Sequence, residues 1–260
     1  MTAIYTTQLG AGQGLIRETL ILLDLWQAGM SGTDLYRAAL ASGLFSTLSA
    51  RRLHDMITVG FAPRYLRNGG APALLLKRVN AHFARKEFEQ LLFLYTCRVH
   101  AILADFIRQV YWPAYTVGKA KLGNDEARTF VMTAVREGKT TVAWSEIMLR
   151  RVASNLTGCC ADFGLLDQGA KAVRKILPYR IEPTTVAMLA YDLHFAGHGD
   201  NSVIHHEDWA LFGLEPTDVL EELKRLALRN WLIVQTAGGV VRIGWQCKTM
   251  EELTDVLTQR

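Results

Sequence analysis

From Lys86 to Trp112 the chain runs nearly uninterrupted by helix breakers through a stretch rich in Leu, Phe and Tyr, and it meets Pro113 at the end. A run of that length and apolarity points to one long, largely buried helix. Pro113 should end it, because proline has no N–H to give the backbone ladder. A chain built around such a helix is expected to be all-α, a multi-helix bundle with helix-turn-helix-like elements.

Apolar positions at helical spacing recur on the N-terminal side through Leu15-Ile16-Leu20-Leu23, Leu35-Leu40 and Leu53-Ile57. They predict three helices separated by Gly29-Met30-Ser31 and Gly43-Leu44-Phe45-Ser46, with Ser31 and Ser49 as N-caps. A loop is expected from Arg64 to Pro72, where Asn68-Gly69-Gly70 supplies permissive backbone and Pro72 starts the next helix. Beyond the central run, Asn124-Asp125-Glu126 opens a helix reaching Gly138, and Trp144-Ser145-Glu146 opens one reaching Phe163-Gly164. Four basic side chains with Pro178 and Pro183 in residues Lys171 to Pro183 read as an extended connector. Expected domains are therefore 1–172, a helical N-terminal domain, and 173–260, a smaller C-terminal one. The latter holds helices near Thr184 to Phe195 and Pro216 to Leu228, then Trp231 to Gln235, Ala237-Gly238-Gly239, and Val240 to Trp245, a β-hairpin pattern. A helix followed at once by a hairpin is how a winged helix ends. A basic-headed helix stopped near Gly or Asn occurs three times, at Arg51 to Phe61, Arg150 to Leu166 and Leu223 to Leu232. For the first two a simple C-terminal stop accounts for the pattern.

Half of the 260 residues are hydrophobic, enough to bury a substantial core, and 29 basic against 25 acidic residues leave a formal charge of +4. A surplus that small supports phosphate binding only if the cations gather on one face. Cys97, Cys159, Cys160 and Cys247 form no CxxC pair and read as reduced, buried thiols. The start, Met1-Thr2-Ala3-Ile4-Tyr5, lacks the basic and apolar regions of a secretory signal, so a cytoplasmic location is expected. No charge-free run reaches the roughly 18 to 20 residues that span a bilayer, and no membrane partner is expected.

Several constellations compete for a functional role. Gly10-Ala11-Gly12-Gln13-Gly14 follows the strand-like Ile4 to Thr7 and precedes a helix, as a phosphate-cradling loop would. Its spacing fits neither the dinucleotide fingerprint, whose third glycine would fall at Leu15, nor a P-loop, which needs Gly-Lys-Ser/Thr. His194, His198, Asp200, His205, His206, Glu207 and Asp208 crowd one stretch that could ligate a metal. Gly197 and Gly199 instead suggest a helix end and a capping loop. No Gly-x-Ser-x-Gly elbow, His-Glu-x-x-His pair or kinase set is present, and a non-catalytic protein without cofactor, metal or small-molecule substrate is expected. The cations are then the candidates for a nucleic-acid surface: Arg51, Arg52, Arg64, Arg67, Lys77, Arg78, Lys119, Lys121, Arg150, Arg151, Lys171, Arg174, Lys175, Arg180 and Arg242, with Tyr65, Tyr115 and Tyr179 interleaved. Each taken alone reads as a solvated face.

Longer phrases resemble a known family. Tyr5-Thr6-Thr7-Gln8-Leu9-Gly10-Ala11-Gly12 leading to Trp26-Gln27-Ala28-Gly29-Met30-Ser31 is similar to the opening of the BrxA family of BREX phage-exclusion systems. Phe61 to Leu66, Val110-Tyr111-Trp112-Pro113, Trp144 to Ala153, Ala161 to Leu166, Ala190 to Gly197 and Asp208 to Leu214 look alike as well. The resemblance implies a small helical defence component, a NusB-like helical fold, binding of double-stranded DNA and association with other BREX subunits. It carries no catalytic motif and no contact residues; Arg150-Arg151 falls where the family also looks basic.

Overall fold

A computed structural model describes residues 4–11, 14–169, 172–238 and 240–259. The fold is all-α apart from two small antiparallel two-stranded sheets. It divides into two compact units, residues 1–77 with 92–179, and residues 78–91 with 180–260.

The first unit opens with a 3-10 turn, Gln8–Ala11, followed by α1 (Ile16–Leu25), α2 (Gly32–Ser42) and α3 (Ala50–Asp55). Ile4 to Thr7 is no strand; only Tyr5 forms an isolated bridge, to Thr140. The expected caps close as predicted. Ser31 makes a reciprocal capping box with Asp34, and the Ser49 hydroxyl accepts the Arg52 N–H at 3.2 Å. The first of the basic-headed segments does not stop at Gly60. α3 passes into a π-helical turn, Met56–Phe61, and on through α4 (Ala62–Tyr65), so the expected loop is shortened to the residues around the 3-10 turn Asn68–Gly70. α5 (Ala71–Asn80) then begins with Pro72 in its first turn, as predicted.

The long central helix is broken. α6 (Arg85–Val99) ends where His100 takes the non-helical φ −110°, ψ 85°, and α7 (Ala101–Phe106) leaves at a bend of 110°. Nor does Pro113 end the helix: α7 runs through a second π turn, Ile107–Tyr111, into α8 (Trp112–Thr116), which contains it. In the π turn the Trp112 N–H reaches back five residues to the Ile107 carbonyl. A ladder already shifted by one residue accommodates the missing proline donor and its ring. Pro63 follows the Met56–Phe61 turn in the same way. No single helix among the described residues is long and apolar enough to cross a membrane.

β1 (Lys121–Gly123), α9 (Asn124–Arg136), α10 (Glu146–Asp162) and β2 (Val173–Lys175) complete the first unit. The segment expected to be a connector therefore contains a strand. Lys121, Leu122 and Gly123 of β1 stand opposite Lys175, Arg174 and Val173 of β2. This pairing places residues 173–179 with the first unit, so the division falls at 179/180 rather than at the expected 172/173. α10 stops at Phe163 with Gly164 left-handed at φ 75°. The core gathers Trp26, Tyr65, Phe93, Phe106 and Tyr111, all fully enclosed.

The second unit holds α11 (Pro183–Phe195), α12 (Asp200–Ile204), a 3-10 turn Glu207–Phe212, α13 (Pro216–Ala227), the hairpin β3 (Leu232–Ala237) and β4 (Val240–Trp245), and α14 (Met250–Thr258). The first turns of α6 join it through side chains that satisfy backbone and hydroxyl groups. Gln90 Nε2 donates to the Arg180 carbonyl at 2.8 Å, and Thr184 Oγ1 donates to Glu87 Oε1 at 2.6 Å. The helix-then-hairpin order matches the sequence reading. β4 is pinned by Asp200, whose carboxylate accepts the Ile243 N–H at 3.0 Å, and by the Tyr191 hydroxyl, which accepts from Gln246 N at 2.9 Å.

Candidate nucleic-acid interface

Several of the expected contact residues are engaged inside the fold. Arg64 is only 1% exposed; its Nε donates to His100 Nε2 at 3.4 Å, so its charge is in the core and not on a surface. Arg174 is 8% exposed and its Nη1 donates to the Asp167 carbonyl at 2.9 Å. Lys77 is exposed, but its ammonium donates to the Trp26 carbonyl at 2.7 Å at the end of α1. Others are exposed but paired: Arg78 with Asp255, Lys119 with Glu126, Arg150 with Glu146, and Arg180 with Glu222. Such pairs cancel much of the field a phosphate would feel. Glu146 also holds Arg128, and these two arginines keep its carboxyl below the usual range. Burial raises the Glu126 carboxyl, but the Lys119 ammonium and the Gly123 N–H outweigh it and hold the group low. Lys171 lies outside the described residues.

Arg51, Arg67 and Arg242 are exposed at separate places: the start of α3, the loop after α4, and β4. The remaining cations come together in two groups, both in the first unit. Lys121 and Lys175 project from directly opposed positions of β1 and β2, both exposed and neither ion-paired with a described residue. Like charges at opposed positions disfavour the pairing they sit on. Here the strands are held by their other face, where Leu122 and Arg174 are buried, and by Asp167, which accepts the Lys175 backbone N–H at 2.9 Å. The second group surrounds Gly10. Arg52 Nη1 donates to its carbonyl at 3.4 Å, while Asn155 Nδ2 and Arg151 Nη2 lie 2.7 and 3.9 Å from where a Cβ would stand. Asn155 gave no signal in the sequence; only the packing of α10 on the Gln8–Ala11 turn reveals it.

The metal-like stretch is a set of caps and packing contacts. His194 stacks on Trp245 at 4.2 Å, the His206 Nδ1 accepts the Asp208 N–H at 3.2 Å, and Gly197 turns the chain at φ 92°. No group of three or more potential metal ligands occurs among the described residues. The four cysteines form no disulfide and are buried, and burial pushes the Cys159 thiol up to about 12, away from thiolate chemistry.

The sequence profile of the BrxA family matches residues 3–192. The chain belongs to the BrxA family. Membership associates it with BREX phage-exclusion systems. Both cation groups of this BrxA-family chain fall inside the matched span, whereas β3, β4 and Arg242 lie beyond it. An uncharacterized protein from Magnetospirillum magneticum, known from its crystal structure, shares the fold with a TM-score of 0.58. The two are 16% identical over 74% of this BrxA-family chain and 94% of that one, a likeness of fold alone. No curated protein matches the sequence.

Proposed function

We propose that the chain is a non-catalytic, duplex-DNA-binding component of a BREX phage-defence system. It holds DNA mainly by its phosphate backbone and helps to assemble a complex whose other subunits supply the chemistry. The observation that carries this reading is the opposed pair Lys121 and Lys175, two cations from distant parts of the sequence set side by side on one small sheet. An exposed pair of like charges with no protein counter-ion among the described residues is suited to a polyanion, whose phosphates lie at short, regular intervals. Such contacts position a protein without reading bases, so sequence preference is low. The hairpin after α13, with Arg242 exposed on β4, is read as a wing-like second contact.

The test is fluorescence anisotropy of labelled duplex DNA and matched RNA across a salt series, with the parent and with Lys121→Gln/Lys175→Gln. The parent is expected to prefer duplex DNA with steeply salt-dependent affinity. The double variant should weaken binding on all sequences and lower the salt slope by about 2, roughly one for each phosphate contact removed. No binding to either nucleic acid would leave a protein–protein adaptor among BREX subunits. A preference for RNA would favour the NusB-like comparison as function.

A further inference from the structure

A groove of about 570 Å³ opens in the first unit between the N-terminal segment and the start of α10, with Thr6, Thr7, Gln8, Trp144, Ser145 and Met148 in its lining. Its size is that of a small-molecule site. Gln8 shares the 3-10 turn Gln8–Ala11 with Gly10, and Arg151 follows Met148 by one turn of α10, so it continues the same helix face. Along the same two segments, beyond the groove's own lining, Arg52 Nη1, Arg151 Nη2 and Asn155 Nδ2 gather at Gly10. A Cβ at Gly10 would stand 2.7 Å from the Asn155 amide, so any larger residue there would push that side chain aside. Both guanidiniums are exposed, and neither is ion-paired with a described carboxylate.

Two positive charges about one helical turn beyond a groove with an aromatic wall and hydroxyl-bearing side chains define a ligand chemistry. A diester phosphate brings one negative charge. A phosphate monoester brings about −1.5 to −2 at neutral pH together with three acceptor oxygens, which matches two guanidinium forks. Trp144, half-buried in the lining, offers a face on which a base stacks, and Thr6, Thr7 and Ser145 offer partners for a sugar or base edge. We propose that this groove binds a nucleoside monophosphate, its phosphate held between Arg52 and Arg151 and its base against Trp144. The site shares no residue with the Lys121 and Lys175 pair, and it uses neither the P-loop nor the dinucleotide fingerprint.

Titration calorimetry of the full chain with deoxyadenosine 5′-monophosphate, with deoxyadenosine and with inorganic phosphate tests this. The mononucleotide is expected to bind at least about tenfold more tightly than either fragment, because only it engages both the guanidiniums and Trp144. Arg52→Gln/Arg151→Gln should lose at least about tenfold of that affinity, and Arg151→Gln alone, which leaves the Arg52 bond to Gly10 intact, should lose part of it. Absence of mononucleotide binding, a fragment binding as tightly as the whole, or unchanged affinity in the arginine variants would each overturn the proposal. Competition then separates two sources of the same chemistry. Displacement of the mononucleotide by a 5′-phosphorylated duplex and not by a 5′-hydroxyl one identifies a strand end as occupant; displacement by neither identifies the free mononucleotide. Lys121→Gln/Lys175→Gln is expected to leave mononucleotide binding unchanged, so this site and the duplex surface can fail independently.

Discussion

One imidazole and one guanidinium share the core of the first unit. Arg64 donates to His100 Nε2, which can accept only while that nitrogen is unprotonated. Burial, with the Arg64 charge adding to it, pushes the His100 pKa down to about 3 from the ordinary 6.5. The imidazole stays neutral when folded while the unfolded chain takes up a proton near 6.5, so stability is intact above that pH. It falls as the pH drops from 6.5 toward 3, by roughly 2 kcal/mol at pH 5. Melting temperatures of the parent and of His100→Gln between pH 7 and pH 5 check this: the parent should fall more steeply, and parallel curves would show that His100 is not held neutral. Arg64 also marks where residue-level reading of the sequence stops. An arginine beside Pro63 in a loop-like phrase reads as solvated, and only a partner 36 positions away explains its burial.

At the scale of elements, what is local was legible and what depends on another segment was not. Ser31 and Ser49 were readable as caps because a cap needs only its own next turn. Pro113 was misread because the rule that proline ends a helix assumes an i to i−4 ladder, and the π turn before it breaks that assumption. The end of α6 at His100 has no Gly or Pro to announce it. β1 and β2 are three residues each, too short for an alternating pattern, and they exist as strands only through each other. Of the candidate site, the residue types were legible, but which cations are spent on Asp255, Glu126, Glu146 and Glu222 was not. α3 offers a test at this scale, since its Ser49 cap orients the helix that carries Arg52. Ser49→Ala is expected to lower unfolding free energy in urea by about 1 kcal/mol, with Ser49→Asp close to the parent. Equal midpoints for all three chains would mean that the cap adds nothing to α3.

For the molecule as a whole, family membership covers residues 3–192, and the two cation groups sit in the first unit within that span, whereas the hairpin with Arg242 lies beyond it. Lys121 and Lys175 are brought opposite each other only when β1 and β2 pair, so the surface is a property of the folded unit and is absent from any fragment carrying one strand. The same juxtaposition sets usefulness against robustness. Two opposed lysines weaken their sheet by an amount on the order of 0.2 to 1 kcal/mol. Lys121→Gln/Lys175→Gln should therefore melt about 1 to 3 °C higher than the parent in low salt, with the gap closing as salt rises. Duplex DNA at one fixed concentration should raise the melting temperature of the parent by more than that of the variant, whose affinity is weaker. If the proposed surface is the one that meets DNA, a higher melting point gained with weaker binding is the trade expected of a surface that is tense when empty and relaxed when full.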